Sequence, residues 1–210
     1  MKFVKNAGGV KKSIGHLEDI NMRVICVNTG TKYSEWFVDN LKHMIDTYSN
    51  LKYDSFEVIR DDIYDDDRGV FNKLLMFKYF TDDQNIYFDL DMLIKGDCNN
   101  FLRKEFTLCH AHWREEHHTP LNSSIMSWSG DHSHIFEKFE SNPEYYMMKY
   151  NRGIDQFIYE NIKYKTYNKE DGYCSFQTVL DEQDYPVYLF NQRNANMKSK
   201  DWYSRYFINV

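Results

Sequence analysis

Apolar runs alternate with helix-patterned segments over residues 22–94, and that order restricts the chain to few folds. Met22–Asn28 reads as a buried first strand. Phe37, Leu41, Met44, Ile45 and Tyr48 then recur at helical spacing, with Ser34 placed to cap the helix. Phe56 and Val58 alternate in a short second strand. A second helix carries Phe71, Leu74, Leu75 and the run Phe77–Phe80. The apolar run Ile86–Ile94 follows, rich in β-branched and aromatic residues, and reads as a buried strand that ends at Asp89. Strand, helix, strand, helix, strand implies an α/β fold with a mostly parallel sheet flanked by helices. Such sheets bind ligands beyond the carboxyl ends of their strands, where Asn28 and Asp89 stand.

The rest of the chain is more mixed. Phe106–Cys109, Asn122–Trp128 and Val187–Phe190 read as strands, and helices are expected from about Ser133 and from Gly153. No repeat or linker divides residues 22–210, so one domain is expected there. Residues 1–21, with Gly8-Gly9 and several lysines, read as a leader or an ordered flap. The net charge is −6, and no basic stripe argues for a nucleic-acid partner. The four cysteines form no CxxC pair, which fits a reducing, cytoplasmic setting. No apolar run approaches the ~20 residues of a membrane span.

The chemistry concentrates at Asp89 and Asp91. Residues i and i+2 of a strand share a face, so the two carboxylates are expected to aim at one point. Two hard oxygen ligands suit Mg²⁺ or Mn²⁺, and such an ion suits a diphosphate. The plainer reading is a strand that ends in a polar turn.

Four segments in order resemble the GT-A glycosyltransferases, near family 8 and related bacterial and viral sugar transferases. Phe71–Phe77, with Lys73, resembles the helix before their metal motif. Tyr87-Phe88-Asp89-Leu90-Asp91 resembles the DxD motif itself. Asn122–Trp128 resembles their N-S-G-V-M strand, and Gly153–Ile158 the start of their D-Q helix. The resemblance spans roughly residues 22–195. It implies a GT-A-like fold and transfer of a hexose from a nucleotide sugar, UDP-linked by analogy, to a glycan or other hydroxyl acceptor, with retention favoured. In that scheme Mn²⁺ or Mg²⁺ bridges the DxD carboxylates and the donor diphosphate. Asp91 takes the metal, and Asp89 the donor with a share of the metal. Lys73 places a charge near the donor. Asn28, Thr29 and Tyr33 sit in the base-binding loop. Asn122, Ser123 and Ser124 offer uncharged groups to sugar hydroxyls. Asp155 and Gln156 lie near the reacting carbon, although an acid there also suits a helix start.

One position departs from the family pattern. The family's late metal ligand is a His, and Asn191 takes the matching place here. Lys198 or Arg193 is left to hold the diphosphate. Three other readings stand beside this one. His110, His112, His117, His118, His132 and His134 fall in a short span and raise a zinc site, without an established spacing. Phe88-Asp89-Leu90-Asp91 also resembles the nucleophile motif of haloacid-dehalogenase-like phosphatases. A catalytically impaired protein that binds a nucleotide sugar or glycan is the third.

Overall fold

The structure is a computed structural model and describes residues 21–64, 69–115, 118–191 and 197–208. The leader or flap expected over residues 1–21 lies outside them except for Asn21, as do Arg193 and His117.

The first half follows the expected alternation. β1 (Met22–Val27), α1 (Glu35–Tyr48), β2 (Ser55–Ile59), a 3₁₀ turn (Val70–Leu74), α2 (Leu75–Tyr79) and β3 (Gln84–Phe88) succeed one another. β1 pairs in parallel with both β2 and β3. The second helix is thus a 3₁₀ turn running into a short α-helix, with Lys73 on the 3₁₀ part.

One expectation is corrected here. The strand does end beside Asp89, as expected, but Asp89 and Asp91 do not both lie on it. β3 ends at Phe88, Asp89-Leu90-Asp91 forms a bend, and β4 (Met92–Ile94) joins a different sheet. The apolar run is continuous because both strands are buried on every side, so hydrophobicity alone gives no sign of the break. The two carboxylates therefore do not share a face through strand pleating. A turn brings them together, with Leu90 buried between them.

The remaining elements are β5 (Thr107–His110), β6 (Leu121–Ser129), α3 (His134–Glu140), α4 (Pro143–Lys149), α5 (Ile154–Asn161), β7 (Lys165–Tyr167), β8 (Tyr173–Ser175) and β9 (Val187–Leu189). The main sheet runs β2-β1-β3-β6-β5-β7, with β6 antiparallel to its neighbours β3 and β5. A small sheet runs β4-β9-β8.

Strand alternation divides the core in two. Val24, Cys26, Ile86 and Phe88 face one side, where α1, the small sheet and the 3₁₀ turn Trp202–Tyr206 pack. Ile25, Val27, Tyr87, Met126 and Trp128 face the other, against α2 to α5. The result is a layered α/β arrangement with a buried sheet. All four cysteines are buried and free, as core thiols. No helix among the described residues is long and apolar enough to cross a membrane.

Candidate active site

A cleft of about 200 Å³ opens where β1 and β3 end, at the seam between the two sheets. The bend after β3 supplies Asp89 and Asp91, and the loop after β1 supplies Thr29, Lys32 and Tyr33. The start of β6 contributes Asn122, Ser123 and Ser124. Gly153 to Asp155 enter from the first turn of α5, and Asn191 from the residues after β9. Gly69 closes the rim. Its φ is +61°, and a Cβ there would lie 2.9 Å from Thr29 Oγ1, so only glycine lets these two loops meet unstrained.

Asp89 is the most constrained group. Lys73 Nζ lies 2.5 Å from its Oδ1, and the Tyr87 hydroxyl donates to the same oxygen. Its backbone N–H donates to Ser124 O at 2.9 Å, tying the bend to β6. Burial alone would raise its pKa, but the charge and hydrogen bond of Lys73, with those of Tyr87 and Ser124, outweigh burial and leave it lowered. Lys73 is aimed by its neighbour. The buried Asn72 accepts from the N–H groups of Ile63 and Tyr64 and donates to Asp62, which fixes the 3₁₀ turn.

Asp91 is in the opposite state. Burial and the nearby charge of Asp89 raise its pKa from 3.8 to about 6, against a hydrogen bond from Tyr33 and the charges of Lys32 and Lys73. It forms no salt bridge with any described residue. Its backbone carbonyl accepts from Phe190 N–H at 3.3 Å, which places Asn191 beside it. Asn191 adopts φ +52° and donates to Ser175 Oγ at 2.7 Å, while Asn122 Nδ2 stands 3.5 Å from its amide oxygen.

These donors fit a divalent ion that arrives with a diphosphate. Two crowded carboxylates repel each other, as the raised Asp91 shows, and a cation relieves that repulsion. Mg²⁺ characteristically takes one or two carboxylates plus substrate phosphates rather than a full protein cage. No group of three or more His, Cys, Asp or Glu among the described residues is arranged to hold a metal alone. The zinc reading of the histidine-rich segment therefore finds no support there.

Asp155 has both oxygens engaged. Oδ2 pairs with Arg114 Nη2 at 2.9 Å, and Oδ1 accepts from Ser123 N–H at 3.0 Å. It anchors α5 to the start of β6 and keeps Ser123 facing the cleft. That leaves it little capacity to bind donor or acceptor hydroxyls itself.

Three sequence-expected residues stand outside the cleft lining. Gln156 follows Asp155 on α5, and consecutive helical residues point ~100° apart. Its side chain faces a neighbouring hollow, and Nε2 donates to Glu160 Oε1 at 2.8 Å. Asn28 is buried behind the loop, donating to Glu35 Oε1 at 3.2 Å. Lys198 lies over the rings of Trp36 and Phe37, at 5.7 and 5.8 Å. Two cations missed by sequence reasoning do line the cleft, Lys32 and Arg152. Neither makes a salt bridge with a described residue. Both adjoin motif residues, Tyr33 and Gly153, which was the signal available.

No protein-family model matches the sequence, and no curated protein is detectably similar to it. Solved structures are similar in fold. A glycosyltransferase involved in the glycosylation of the major capsid of PBCV-1 has a TM-score of 0.64 at 10% identity, over 85% of this chain and 99% of its own. The GT-A-like glycosyltransferase fold is therefore the fold of this chain. The glycosyltransferase GlyE of Streptococcus pneumoniae TIGR4 gives 0.57 at 12% identity, over 81% of this chain. The chain spans only 55% of GlyE. The galactosyltransferase LgtC, in complex with donor and acceptor sugar analogs, gives 0.52 at 12%, over 80% of this chain and 87% of LgtC. At such identities the likeness carries the GT-A-like fold, and the chemistry must be argued from the cleft.

Proposed function

We propose that this chain transfers a hexose from a nucleotide sugar, UDP-linked in the favoured reading, to a hydroxyl group of an acceptor. The observation that carries this is the meeting of Asp89, Asp91, Lys73 and the Asn122–Ser124 strand in one cleft at the strand ends. Such a cleft in a GT-A-like fold offers acid, cation and neutral polar walls in adjacent positions.

Asp89 and Asp91, with the Asn191 amide oxygen, would hold Mn²⁺ or Mg²⁺. When bound, that ion supplies charge neutralisation for the departing nucleoside diphosphate. Lys73 keeps Asp89 ionised and fixed. Lys32 and Arg152, which make no salt bridge with a described residue, present positive charge to a diphosphate, a role that sequence reasoning gave to Lys198 or Arg193. Asn122, Ser123 and Ser124 offer amide and hydroxyl groups to the sugar ring. Thr29 and Tyr33 flank the nucleoside. In the transfer, the bond from the anomeric carbon to the diphosphate oxygen breaks and a bond to the acceptor oxygen forms. The acceptor proton leaves to solvent, and retention at the anomeric carbon is the favoured outcome.

A binding protein without turnover is the second reading. It is favoured by Asn191, whose amide is a weaker ligand than an imidazole and is already hydrogen-bonded to Ser175. The phosphatase reading needs Asp89 as nucleophile, and Lys73 and Tyr87 already engage its Oδ1. One experiment separates the three. Purified protein is incubated with a panel of UDP-sugars and with an aryl phosphate, in Mn²⁺ or in EDTA. UDP release that requires Mn²⁺ and disappears in Asp91→Ala supports the transferase. Binding of UDP-sugars without release supports the second reading, and aryl phosphate hydrolysis the third.

A further inference from the structure

Behind the first turn of α5 lies a second hollow of about 480 Å³, within the range of small-ligand sites. Its walls include His110, His112, Gln156 and Tyr159. It shares a partition with the cleft. Asp155 faces the cleft and its successor Gln156 faces the hollow, while Arg114, which lines the hollow, grips Asp155 at 2.9 Å. One ion pair and one helical turn separate the two spaces.

We propose that this hollow is the acceptor subsite, and that it takes a neutral saccharide ring. The inference rests on the transferase reading above and adds where the acceptor sits and what chemistry selects it.

Three observations support it. First, the hollow presents flat rings. His110 and His112 lie with centroids 4.6 Å apart, and His112 stacks on the buried Tyr173 at 5.7 Å, so the pair has a rigid backing. Tyr159 stands 48% exposed and lines the hollow, so part of its ring is open to a ligand. Ring faces stack on the C–H face of a sugar, and their polar edges hydrogen-bond its hydroxyls. Second, the polar groups are mixed donors and acceptors, the Glu115 carboxylate and His118 among them, and the lining brings no cation other than Arg114 and the imidazoles to an anionic ligand. His110 Nδ1 and His112 Nδ1 stand 3.1 Å apart, within hydrogen-bond reach, and burial with the neighbouring His110 lowers the His112 pKa. Gln156 adds an amide. Third, the guanidinium in the wall is not available to an anion. Arg114 is already bonded to Asp155 and to the carbonyl oxygens of Thr119 and Leu121. A phosphate or carboxylate ligand would find no free Arg there, whereas a polyol finds several matched partners.

Position makes the hollow useful to transfer. A saccharide seated against Tyr159 and Gln156 lies on the far side of the Arg114–Asp155 pair from the donor. A hydroxyl at its edge would reach the donor sugar past that pair, at the N-terminal end of α5. The placement also gives Gln156 a role that its exclusion from the cleft otherwise removes.

The test uses the full chain and a panel of methyl and p-nitrophenyl glycosides of common hexoses, pentoses and deoxyhexoses. Ligand-observed NMR reads glycoside binding without donor, and calorimetry reads UDP affinity in Mn²⁺. Tyr159→Ala and Gln156→Ala are expected to weaken glycoside binding about tenfold while UDP affinity stays within about twofold. Tyr159→Phe, which keeps the ring, is expected to restore binding. Both positions are solvent-facing, and an unchanged thermal melt verifies that the variants fold. Glycoside binding unchanged in Tyr159→Ala, or no glycoside bound by the wild-type chain, overturns the inference. Wild-type glycoside binding that Tyr159→Ala abolishes, with no UDP-sugar turned over, supports the hollow as a saccharide site and overturns the transferase reading instead.

Discussion

Replacing Asp91 by Asn should make the metal-free protein more stable while removing its metal-dependent chemistry. In the folded chain, burial and the charge of Asp89 raise the Asp91 pKa from 3.8 to about 6. The native state therefore holds this proton more tightly than the unfolded chain does. Stability contributed by the group is present below about pH 4 and is lost as pH rises through about 6. At pH 7.5 the carboxylate is ionised and unfavourable. The gap of about 2 pH units corresponds to ~3 kcal/mol at ~1.36 kcal/mol each. Water reaching the partly exposed carboxylate screens part of this, which leaves about 1–2 kcal/mol. Asn keeps the shape and can still accept from Tyr33, so the variant should gain that amount. For a chain of this size each 1 kcal/mol moves Tm by about 2–4 °C, so a rise of about 3–6 °C is expected. Scanning calorimetry from pH 4 to 8 in EDTA checks it, and the advantage should vanish near pH 4. With Mn²⁺ and UDP the order should reverse. Ligand at ~100 times its Kd stabilises by about 2.7 kcal/mol, and only the wild type should receive it. A variant that melts at or below wild type at pH 7.5 in EDTA refutes the assignment of Asp91 as a carboxylate disfavoured by burial and by the charge of Asp89.

Lys73→Met should leave Asp89 without its cation and destabilise the fold by about 2–4 kcal/mol, because one partner of a mostly buried pair is removed. Urea unfolding measures this, and Lys73→Arg should recover part of it. Gly69→Ala should cost about 1–2 kcal/mol from its positive φ and the 2.9 Å approach to Thr29 Oγ1, and should weaken UDP binding by displacing the loop after β1. Calorimetric titration and a thermal melt together test that. Asn191→His should tighten Mn²⁺ binding in the presence of UDP by about tenfold, since His tolerates positive φ better than most residues and imidazole is the stronger ligand. Equal Mn²⁺ affinity in the variant and wild type would show that position 191 does not reach the ion.

The alternation of β1, α1, β2 and β3 was legible because each element buries one periodic stripe, and burial periodicity is what a sequence records most directly. The end of β3 beside Asp89 was legible as well, but the change of sheet at Asp91 was not, since apolar residues on both sides mask it. α4 escaped notice for a different reason. It opens on Pro143 and leaves Tyr145 and Met148 exposed, so it shows no clean apolar face. Within the site, the motif residues Lys73, Asp89, Asp91 and Asn122 to Ser124 were found because their spacing is local. The Arg114–Asp155 pair joins a loop to a helix 41 positions later, and no local pattern encodes such a contact. Gln156 is the instructive case. Adjacency to Asp155 suggested a shared site, while the turn of the helix already implied that the two would diverge.

Placing Asp91 where the polypeptide leaves the main sheet for the three-stranded one has a thermodynamic consequence. The small sheet has few strands and short ladders, so it is the cheaper unit to open by partial unfolding. A ligand bridging Asp89 and Asp91 would fasten the weaker unit to the stronger one. Occupancy and local amide protection in β4 and β9 are then two readings of a single equilibrium, and capacity for ligand would fade in mild denaturant well before the main sheet melts.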